Sequence, residues 1–153
     1  MNAAWAGTTE QFLGTPETVL LAALEARHAA LMGMPAATSQ LDAWREELEI
    51  LRAALTKCTQ ERDSAQYWGI ILEYELPLEG GRRPDAVILT GSSLAVLEFK
   101  QASTPTRAFV DQTWSYARDI AEYHAASHGR VALPILVLTA SRGIAVDFDP
   151  VVI

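Results

Sequence analysis

The chain has little cysteine and no long apolar segment. Cys58 is the one cysteine among 153 residues, so no internal disulfide can form and a reducing compartment is expected. No apolar run approaches the ~20 residues of a membrane-spanning helix. The N-terminus also lacks the basic and apolar regions of a secretory signal. These absences predict a soluble, cytoplasmic protein.

Positive charge is also scarce. Lys and Arg total 12 against 19 Asp and Glu, which gives a formal net charge of −7 at pH 7. A free-standing nucleic-acid-binding domain neutralises phosphates with clusters of basic residues, so this balance counts against that class. No Gly-rich loop ending in Gly-Lys-Ser or Gly-Lys-Thr is present, and the sequence therefore shows no P-loop ATPase.

Hydrophobic residues make up 50% of the chain, and their periodicity predicts an ordered domain. The expected fold class is α/β, with a mixed sheet and the order helix, three strands, helix, strand, preceded by further helices. The length suits one compact domain. Within it we expect an N-terminal helical region over residues 1–66 that packs on a core over residues 67–153.

Two helices are expected in the N-terminal region. The first has Thr15 as its N-cap and ends at Gly33. The second begins at a capping box formed by Ser39 and Asp42. Its apolar stripe repeats by three and four residues, which favours packing against the sheet and leaves a dimerising coiled coil as an alternative. The stripe consists of Leu41, Trp44, Leu48, Leu51 and Leu55.

The core is expected to contain strands and one long helix. A first strand is predicted over residues 68–76, and a nearly unbroken apolar run predicts a buried strand over residues 131–139. Between them a helix is expected, with Thr104 as its N-cap and Gly129 at its end. Residues 144–148 predict an additional edge strand.

A β-hairpin is the most informative element of the core. Residues 85–90 and 94–101 are rich in branched side chains, and Gly91 and Ser92 separate the two runs. A two-residue turn at Gly91 and Ser92 would fix the pairing of every residue along the hairpin.

This register places two carboxylates face to face. Asp85 lies directly opposite Glu98, with Cβ atoms roughly 5 Å apart. Because strand side chains alternate, Lys100 shares the face of Glu98, and Phe99 points into the opposite layer. Two carboxylates and an ammonium group therefore converge at one end of the hairpin.

Facing carboxylates repel each other unless a cation lies between them, and Mg²⁺ (or Mn²⁺) suits oxygen ligands. Asp85, Glu98 and the main-chain carbonyl of Phe99 are the expected ligands. Such an ion polarises a phosphodiester and activates water, and Lys100 would orient that water or stabilise phosphate charge. A surface hairpin in which Lys100 simply pairs with the two acids is the alternative.

These residues resemble the PD-(D/E)xK nuclease superfamily. Its signature is present as Pro84-Asp85, twelve intervening residues, and Glu98-Phe99-Lys100. Gln112 and Tyr116, four residues apart on one helix face, are similar to the Gln-x-x-x-Tyr motif of the RecB-like branch. The resemblance implies a restriction-endonuclease-like core and Mg²⁺-dependent hydrolysis of DNA.

The resemblance also implies roles for neighbouring residues. Glu73 would supply a third carboxylate to the metal and to catalysis, with Glu75 as the alternative. Gln112 would help to place water or phosphate. The expected nucleic-acid contacts are Arg83, Arg107 and Tyr116.

Segments 72–77, 82–85 and 98–101 look like the nuclease region that precedes the helicase in DUF2075-type proteins. This finer resemblance implies that a helicase domain or subunit supplies most of the grip on DNA, in keeping with the acidic net charge. The alternative is a non-catalytic, nuclease-like module that binds nucleic acid or a partner protein.

Overall fold

The helices and strands are known from a computed structural model, which describes residues 2–76, 82–123, 129–141, 147–148 and 151–152. The α-helices of these residues are α1 (Thr9–Gly14), α2 (Glu17–Met32), α3 (Thr38–Glu61) and α4 (Arg107–Tyr123). The strands are β1 (Trp5–Thr8), β2 (Gly69–Leu72), β3 (Ala86–Leu89), β4 (Ser93–Lys100), β5 (Val131–Leu138), β6 (Asp147–Phe148) and β7 (Val151–Val152). A short 3-10 helix, Asp63–Tyr67, connects α3 to β2.

The strands form one mixed sheet in the order β1-β2-β3-β4-β5-β7-β6. Strands β1 to β4 pair antiparallel, whereas β5 runs parallel to β4. A parallel pair needs a long crossover connection, and α4 lies in that connection. The expected mixed α/β class is confirmed, as is the order helix, three strands, helix, strand from α3 to β5.

Strand β1 extends the sheet beyond the expected elements. Trp5 pairs with Leu72 and Thr8 pairs with Gly69, so the N-terminal region contributes an edge strand to the same sheet as the core. The sequence analysis did not predict β1, because its four residues pair with a partner more than sixty positions away. Strand β7 was not predicted either, because it has only two residues.

The apolar stripe of α3 packs against one face of the sheet. Trp44 is 3% exposed, and Leu48, Leu51 and Leu55 are equally buried in a cluster that includes Leu97 and Phe99 of β4. The predicted packing on the sheet is confirmed. The coiled-coil alternative is wrong, because the stripe is buried inside the protein and is not available for dimerisation.

The opposite face of the sheet packs on α4. Val87, Leu94 and Val96 contact the buried face of that helix, which includes Tyr116 and Ile120. Alternate residues of β4 therefore enter two different layers, as the two-residue period of a strand requires. Among the described residues, no helix combines the length and apolarity needed to cross a bilayer.

The helix ends agree only in part with the sequence. Gly33 ends α2 in the left-handed conformation, with φ of 71°, as predicted. Thr15 is not the N-cap of α2; its hydroxyl donates a hydrogen bond to the Gln11 carbonyl at 2.6 Å. The capping box at Ser39 is also wrong, because α3 begins at Thr38 and Asp42 pairs with a neighbouring arginine.

The strand boundaries were shifted as well. Strand β2 ends at Leu72, not at residue 76, because Glu73 has a left-handed φ of 53° that interrupts extended backbone. Glu73 and Glu75 therefore do not alternate along a strand. The strand predicted over residues 131–139 is confirmed as β5. Of the edge strand predicted over 144–148, residues 147–148 are β6, and 144–146 lie outside the described residues.

The N-terminus of α4 is capped by Thr106 and not by Thr104. The Thr106 hydroxyl oxygen accepts a hydrogen bond from the backbone N–H of Phe109 at 3.2 Å, and α4 begins at Arg107. The predicted end of this helix at Gly129 adjoins residues 124–128, which lie outside the described ranges.

Removing the Thr106 hydroxyl is expected to destabilise the protein. Thr106→Ala should lower the free energy of unfolding by about 1 kcal/mol, since an N-cap satisfies an otherwise unpaired helix N–H. Thr104→Ala, at an exposed residue two positions earlier, is the matched control and should change it little. Urea denaturation of both variants measures the difference, and an equal or larger loss in Thr104→Ala would contradict this cap assignment.

Candidate active site

The hairpin of β3 and β4 sets the geometry of the site. Ala86 lies opposite Leu97, and the same antiparallel register continues one step to place Asp85 opposite Glu98. The predicted register is therefore confirmed. Asp85 immediately precedes β3, and Glu98 lies near the end of β4, so both acids sit at the same end of the sheet.

The turn that fixes this register is closed by a side chain. The Thr90 backbone N–H donates to the Ser93 carbonyl at 2.9 Å, and the Thr90 hydroxyl oxygen accepts from the Ser93 N–H at 2.8 Å. Gly91 is not among the described glycines with positive φ. The turn therefore does not use the left-handed glycine of primed hairpin turns, and the Thr90 hydroxyl stabilises it instead.

The two facing acids reach across the hairpin to each other's strand. The backbone N–H of Asp85 donates to Glu98 Oε1 at 3.1 Å, and the backbone N–H of Phe99 donates to Asp85 Oδ2 at 2.7 Å. Glu98 is 3% exposed. These reciprocal bonds hold both carboxylates at the strand ends and orient them.

Lys100 lies on the face of Glu98, as predicted. Its Nζ is 3.8 Å from Glu98 Oε2 and 5.3 Å from the centre of the Phe109 ring on α4. Phe99 is buried in the opposite layer with the α3 stripe, which confirms the alternation along β4. The lysine side chain keeps partial exposure and lines an open cleft beside the acids.

Glu73 also reaches the acidic cluster, although not from a strand. Its backbone N–H donates to the Asp85 carbonyl at 3.0 Å, and its carboxylate pairs with Arg83 Nε at 2.5 Å. The negative charge of Glu73 raises the pKa of Asp85 and Glu98, in each case after the larger effect of burial. Glu75 instead pairs with Arg27 of α2 at 2.6 Å, so Glu73 is the one of the two that adjoins Asp85.

The structure adds Glu47, which the sequence analysis missed. Glu47 lies on α3 and lines a cleft of about 290 Å³ together with Asp85 and Lys100. A signal was present in the sequence, because Glu47 is three residues after Trp44 and four before Leu51. An acidic residue at a position of the apolar stripe faces the sheet, and here it faces the end of the sheet that carries the other carboxylates.

Burial, and after it mutual repulsion, raises the pKa of the clustered carboxylates. Burial, followed by repulsion from Asp85, Glu73 and Glu98, raises the pKa of Glu47 to about 10. Burial and the Asp85 charge raise the pKa of Glu98 to about 9, outweighing the opposing effect of Lys100. Burial raises the pKa of Asp85 to about 7, although the hydrogen bond from Phe99 N–H opposes it. These shifts favour the protonated forms of Glu47 and Glu98 at neutral pH.

This donor set suits a hard divalent cation by its chemistry. Several carboxylates in a half-buried cleft provide the oxygen ligands and the negative charge that Mg²⁺ requires. Within the described ranges, however, no group of three or more His, Cys, Asp or Glu side chains already surrounds a common point. Instead, Glu98 and Asp85 each accept a hydrogen bond from a backbone N–H across the hairpin, of Asp85 and of Phe99 respectively.

Helix α4 brings Gln112 and Tyr116 to the other side of Glu98. Gln112 Nε2 donates to the Tyr116 hydroxyl at 3.4 Å, so the predicted common face is confirmed. Tyr116 is buried; burial and then the charge of Glu98 raise its pKa. The guanidinium of Arg82 lies 4.9 Å from the centre of the Tyr116 ring.

The three residues predicted to contact nucleic acid lie in different surroundings. Arg83 adjoins the acidic cluster through its ion pair with Glu73. Arg107 has a side chain that is 71% exposed and pairs with Asp111 at 3.0 Å on the outside of α4, not with the clustered acids. Tyr116 lies under Arg82 with its ring buried.

The site thus consists of carboxylates from three parts of the chain beside one lysine. Asp85 and Glu98 come from the hairpin, Glu73 from the segment after β2, and Glu47 from α3. This arrangement combines carboxylate oxygens, the donors that hard cations prefer, with an ammonium group of the kind that pairs with anions. In comparisons with protein-family models, curated proteins and solved structures, no match to the chain was found.

Proposed function

We propose that the chain is a metal-dependent nuclease domain that hydrolyses phosphodiester bonds in DNA, with a restriction-endonuclease-like core of the PD-(D/E)xK type. The observation that carries the proposal is the register that sets Asp85 against Glu98 with Lys100 on the same face. The element order from α3 to β5 supports it as well. A salt-bridged surface hairpin would not need Glu98 to be buried, nor Glu47 to lie beside Asp85.

Asp85, Glu98 and Glu47 would hold Mg²⁺, or Mn²⁺ in its place, together with the Phe99 main-chain carbonyl and Glu73. Bound there, the ion would polarise the phosphodiester and lower the pKa of water. Burial and, after it, mutual repulsion raise the pKa of these acids. This supports the assignment, because a bound cation relieves the repulsion and replaces the protons they otherwise retain.

Lys100 would act on the phosphate or on the attacking water. Its ammonium group lies at the edge of the cleft beside Glu98, where it can donate to a phosphate oxygen that gains charge during the reaction. The ring of Phe109 covers one side of this ammonium and limits its contact with solvent. Gln112, held by Tyr116, would position a water or a phosphate oxygen.

A helicase domain or subunit would supply most of the affinity for DNA. The arginines nearest the cluster are already engaged with acids, since Arg83 pairs with Glu73 and Arg82 pairs with Asp119 at 3.5 Å. Little positive charge therefore remains to neutralise phosphates around the site, in line with the net charge of −7. Arg83, Arg107 and Tyr116 would contribute local contacts to the strand being cut.

The proposal is tested by incubating linear and circular DNA, single- and double-stranded, with the chain in Mg²⁺, Mn²⁺ or EDTA. We expect cutting that depends on the metal and that falls at least about a hundredfold in Lys100→Ala, because a preorganised donor is lost. Lys57→Ala is the matched control, since that lysine is 75% exposed on α3. Cutting of the circular substrate would identify endonuclease action.

A folded chain that cuts none of these substrates and binds no metal would contradict the proposal. Circular dichroism of each variant separates loss of activity from loss of fold. DNA binding that survives in such an inactive chain would favour the non-catalytic, nuclease-like module.

A further inference from the structure

A second cleft lies at the end of the sheet opposite to the carboxylates. We name it the distal groove; it has a volume of about 610 Å³, within the ~300–1,000 Å³ typical of small-molecule sites. The turn between β3 and β4 forms part of its wall. Since Asp85 and Thr90 are five extended residues apart, the groove is roughly 17 Å from the acidic cluster. The residues important here are Arg62, Ser64, Tyr67, Trp68, Ser92 and Arg130.

We propose that the distal groove binds a nucleoside phosphate. Two arginines line it, and none of the described residues that line it is acidic, in a chain with 19 Asp and Glu. Asp63, the exposed neighbour of Arg62, is not part of the lining. Positive charge is thus concentrated in a concave surface, where it attracts anions.

The two arginines are placed differently. Arg130 Nε donates to the Thr90 carbonyl at 2.9 Å, which fixes its side chain against the turn. Arg62 is exposed at the end of α3, and within the described part of the chain its guanidinium forms no hydrogen bond or ion pair. A guanidinium presents several N–H donors to phosphate oxygens, so Arg62 is available to bind a phosphate group.

Aromatic side chains would bind the nucleobase, as the arginines would bind the phosphate. Tyr67 is 70% exposed, although tyrosine normally buries much of its ring, and Trp68 lies next to it in the groove. Exposed aromatic rings beside arginines stack with nucleobases. The exposed Ser64 and Ser92 add hydroxyl groups that can bond to sugar or phosphate oxygens.

This combination selects a ligand that carries both a flat ring and a phosphate. Inorganic phosphate alone would leave Tyr67 without a partner, and an uncharged nucleoside would leave Arg62 without one. A free mononucleotide and one nucleotide of a single strand present the same chemistry to the groove. None of the clustered carboxylates lines the distal groove, so nucleotide binding there can be tested separately from nuclease activity.

To test the proposal, the metal-free chain in EDTA is titrated with deoxyadenosine monophosphate and, separately, with a hexamer of deoxyadenylate. Binding affinity is measured by calorimetry and tryptophan fluorescence. EDTA prevents metal-dependent cutting from obscuring binding. Arg62→Glu should weaken binding at least tenfold, since it replaces an attraction for phosphate by a repulsion. Tyr67→Ala should weaken it several-fold through loss of stacking.

Arg45→Glu is the matched control, because it makes the same change of charge at an exposed α3 residue roughly 25 Å along the helix from Arg62. It should leave binding unchanged. Deoxyadenosine and inorganic phosphate, tested alone, should each bind more weakly than the mononucleotide.

Saturable binding of the mononucleotide with this pattern would identify a free nucleotide as the ligand. Binding of the hexamer alone, with the same dependence on Arg62 and Tyr67, would identify a nucleic-acid strand. The proposal is overturned if neither probe saturates, or if binding is the same in the wild type, Arg62→Glu and Tyr67→Ala.

Discussion

Asp85→Asn is expected to reduce metal-dependent DNA cleavage by roughly a thousandfold or more, because a ligand to a catalytic ion contributes several kcal/mol to transition-state stabilisation. Asparagine is the informative replacement at this position. Its amide oxygen can still accept the hydrogen bond from Phe99 N–H, which Asp85 Oδ2 accepts at 2.7 Å. The charge is lost while the hairpin contact is kept.

Asp85→Ala should lose cleavage activity to the same extent. It should also have a lower free energy of unfolding, because the N–H of Phe99 would be left without its acceptor. Asp42→Asn is the matched control, since Asp42 is an exposed acid on α3 whose loss removes a surface ion pair. Cleavage rates and melting temperatures should be measured for all three variants. Cleavage by Asp85→Asn at a rate near that of the wild type would refute the assignment of Asp85 to the metal.

The metal-free chain is expected to lose stability as the pH rises from about 5 to about 9. Asp85, Glu98 and Glu47 have pKa values of about 7, 9 and 10 in the folded chain, each above the ordinary value of about 4 that applies after unfolding. Above that ordinary value the folded chain holds protons that the unfolded chain releases, so the free energy of unfolding decreases with pH.

A single proton that the folded chain keeps over two pH units corresponds to about 3 kcal/mol of lost stability, so the melting temperature of a chain of this size should fall by at least roughly 10 °C. Glu47→Gln removes one of the coupled acids, so it should raise the melting temperature in EDTA at pH 9 and flatten the pH dependence. Glu49→Gln, an exposed neighbour on the same helix, should behave like the wild type. Excess Mg²⁺ should raise the wild-type melting temperature most at pH 9, because the ion binds the ionised acids.

Thermal unfolding monitored by circular dichroism, from pH 5 to pH 9 with EDTA or Mg²⁺, measures these differences. A pH dependence of Glu47→Gln identical to that of the wild type would show that Glu47 is not coupled to the hairpin acids.

The parts of the fold that could be predicted depend on short-range periodicity. Alternation along β3 and β4, together with a short turn, is sufficient to place Asp85 opposite Glu98. The spacing of Trp44 and Leu48 likewise identifies the buried face of α3, because helix periodicity is independent of what the helix packs against.

The parts that could not be predicted depend on contacts between distant segments. Glu47 joins the site because α3 docks across the end of the sheet, and its position on the stripe gives only a hint of this. The left-handed conformation of Glu73 could not be anticipated, since it is uncommon for residues other than glycine. The helix starts shifted by one or two residues. Helices α2 and α3 begin after Pro16 and Ala37 without a side-chain cap, and at α4 the sequence offers two equally suitable caps, Thr104 and Thr106.

The Thr90–Ser93 turn has a consequence for how this chain can vary. Surface turns commonly accept inserted residues without loss of fold. Here one extra residue between Gly91 and Ser92, with the loop kept at two residues, would shift β4 along β3 by one position and turn Glu98 into the layer that Phe99 occupies. A change in the length of this exposed turn would therefore misplace the acids at the far end of the hairpin. Variants with an altered turn length should be rarer than variants with altered turn residues.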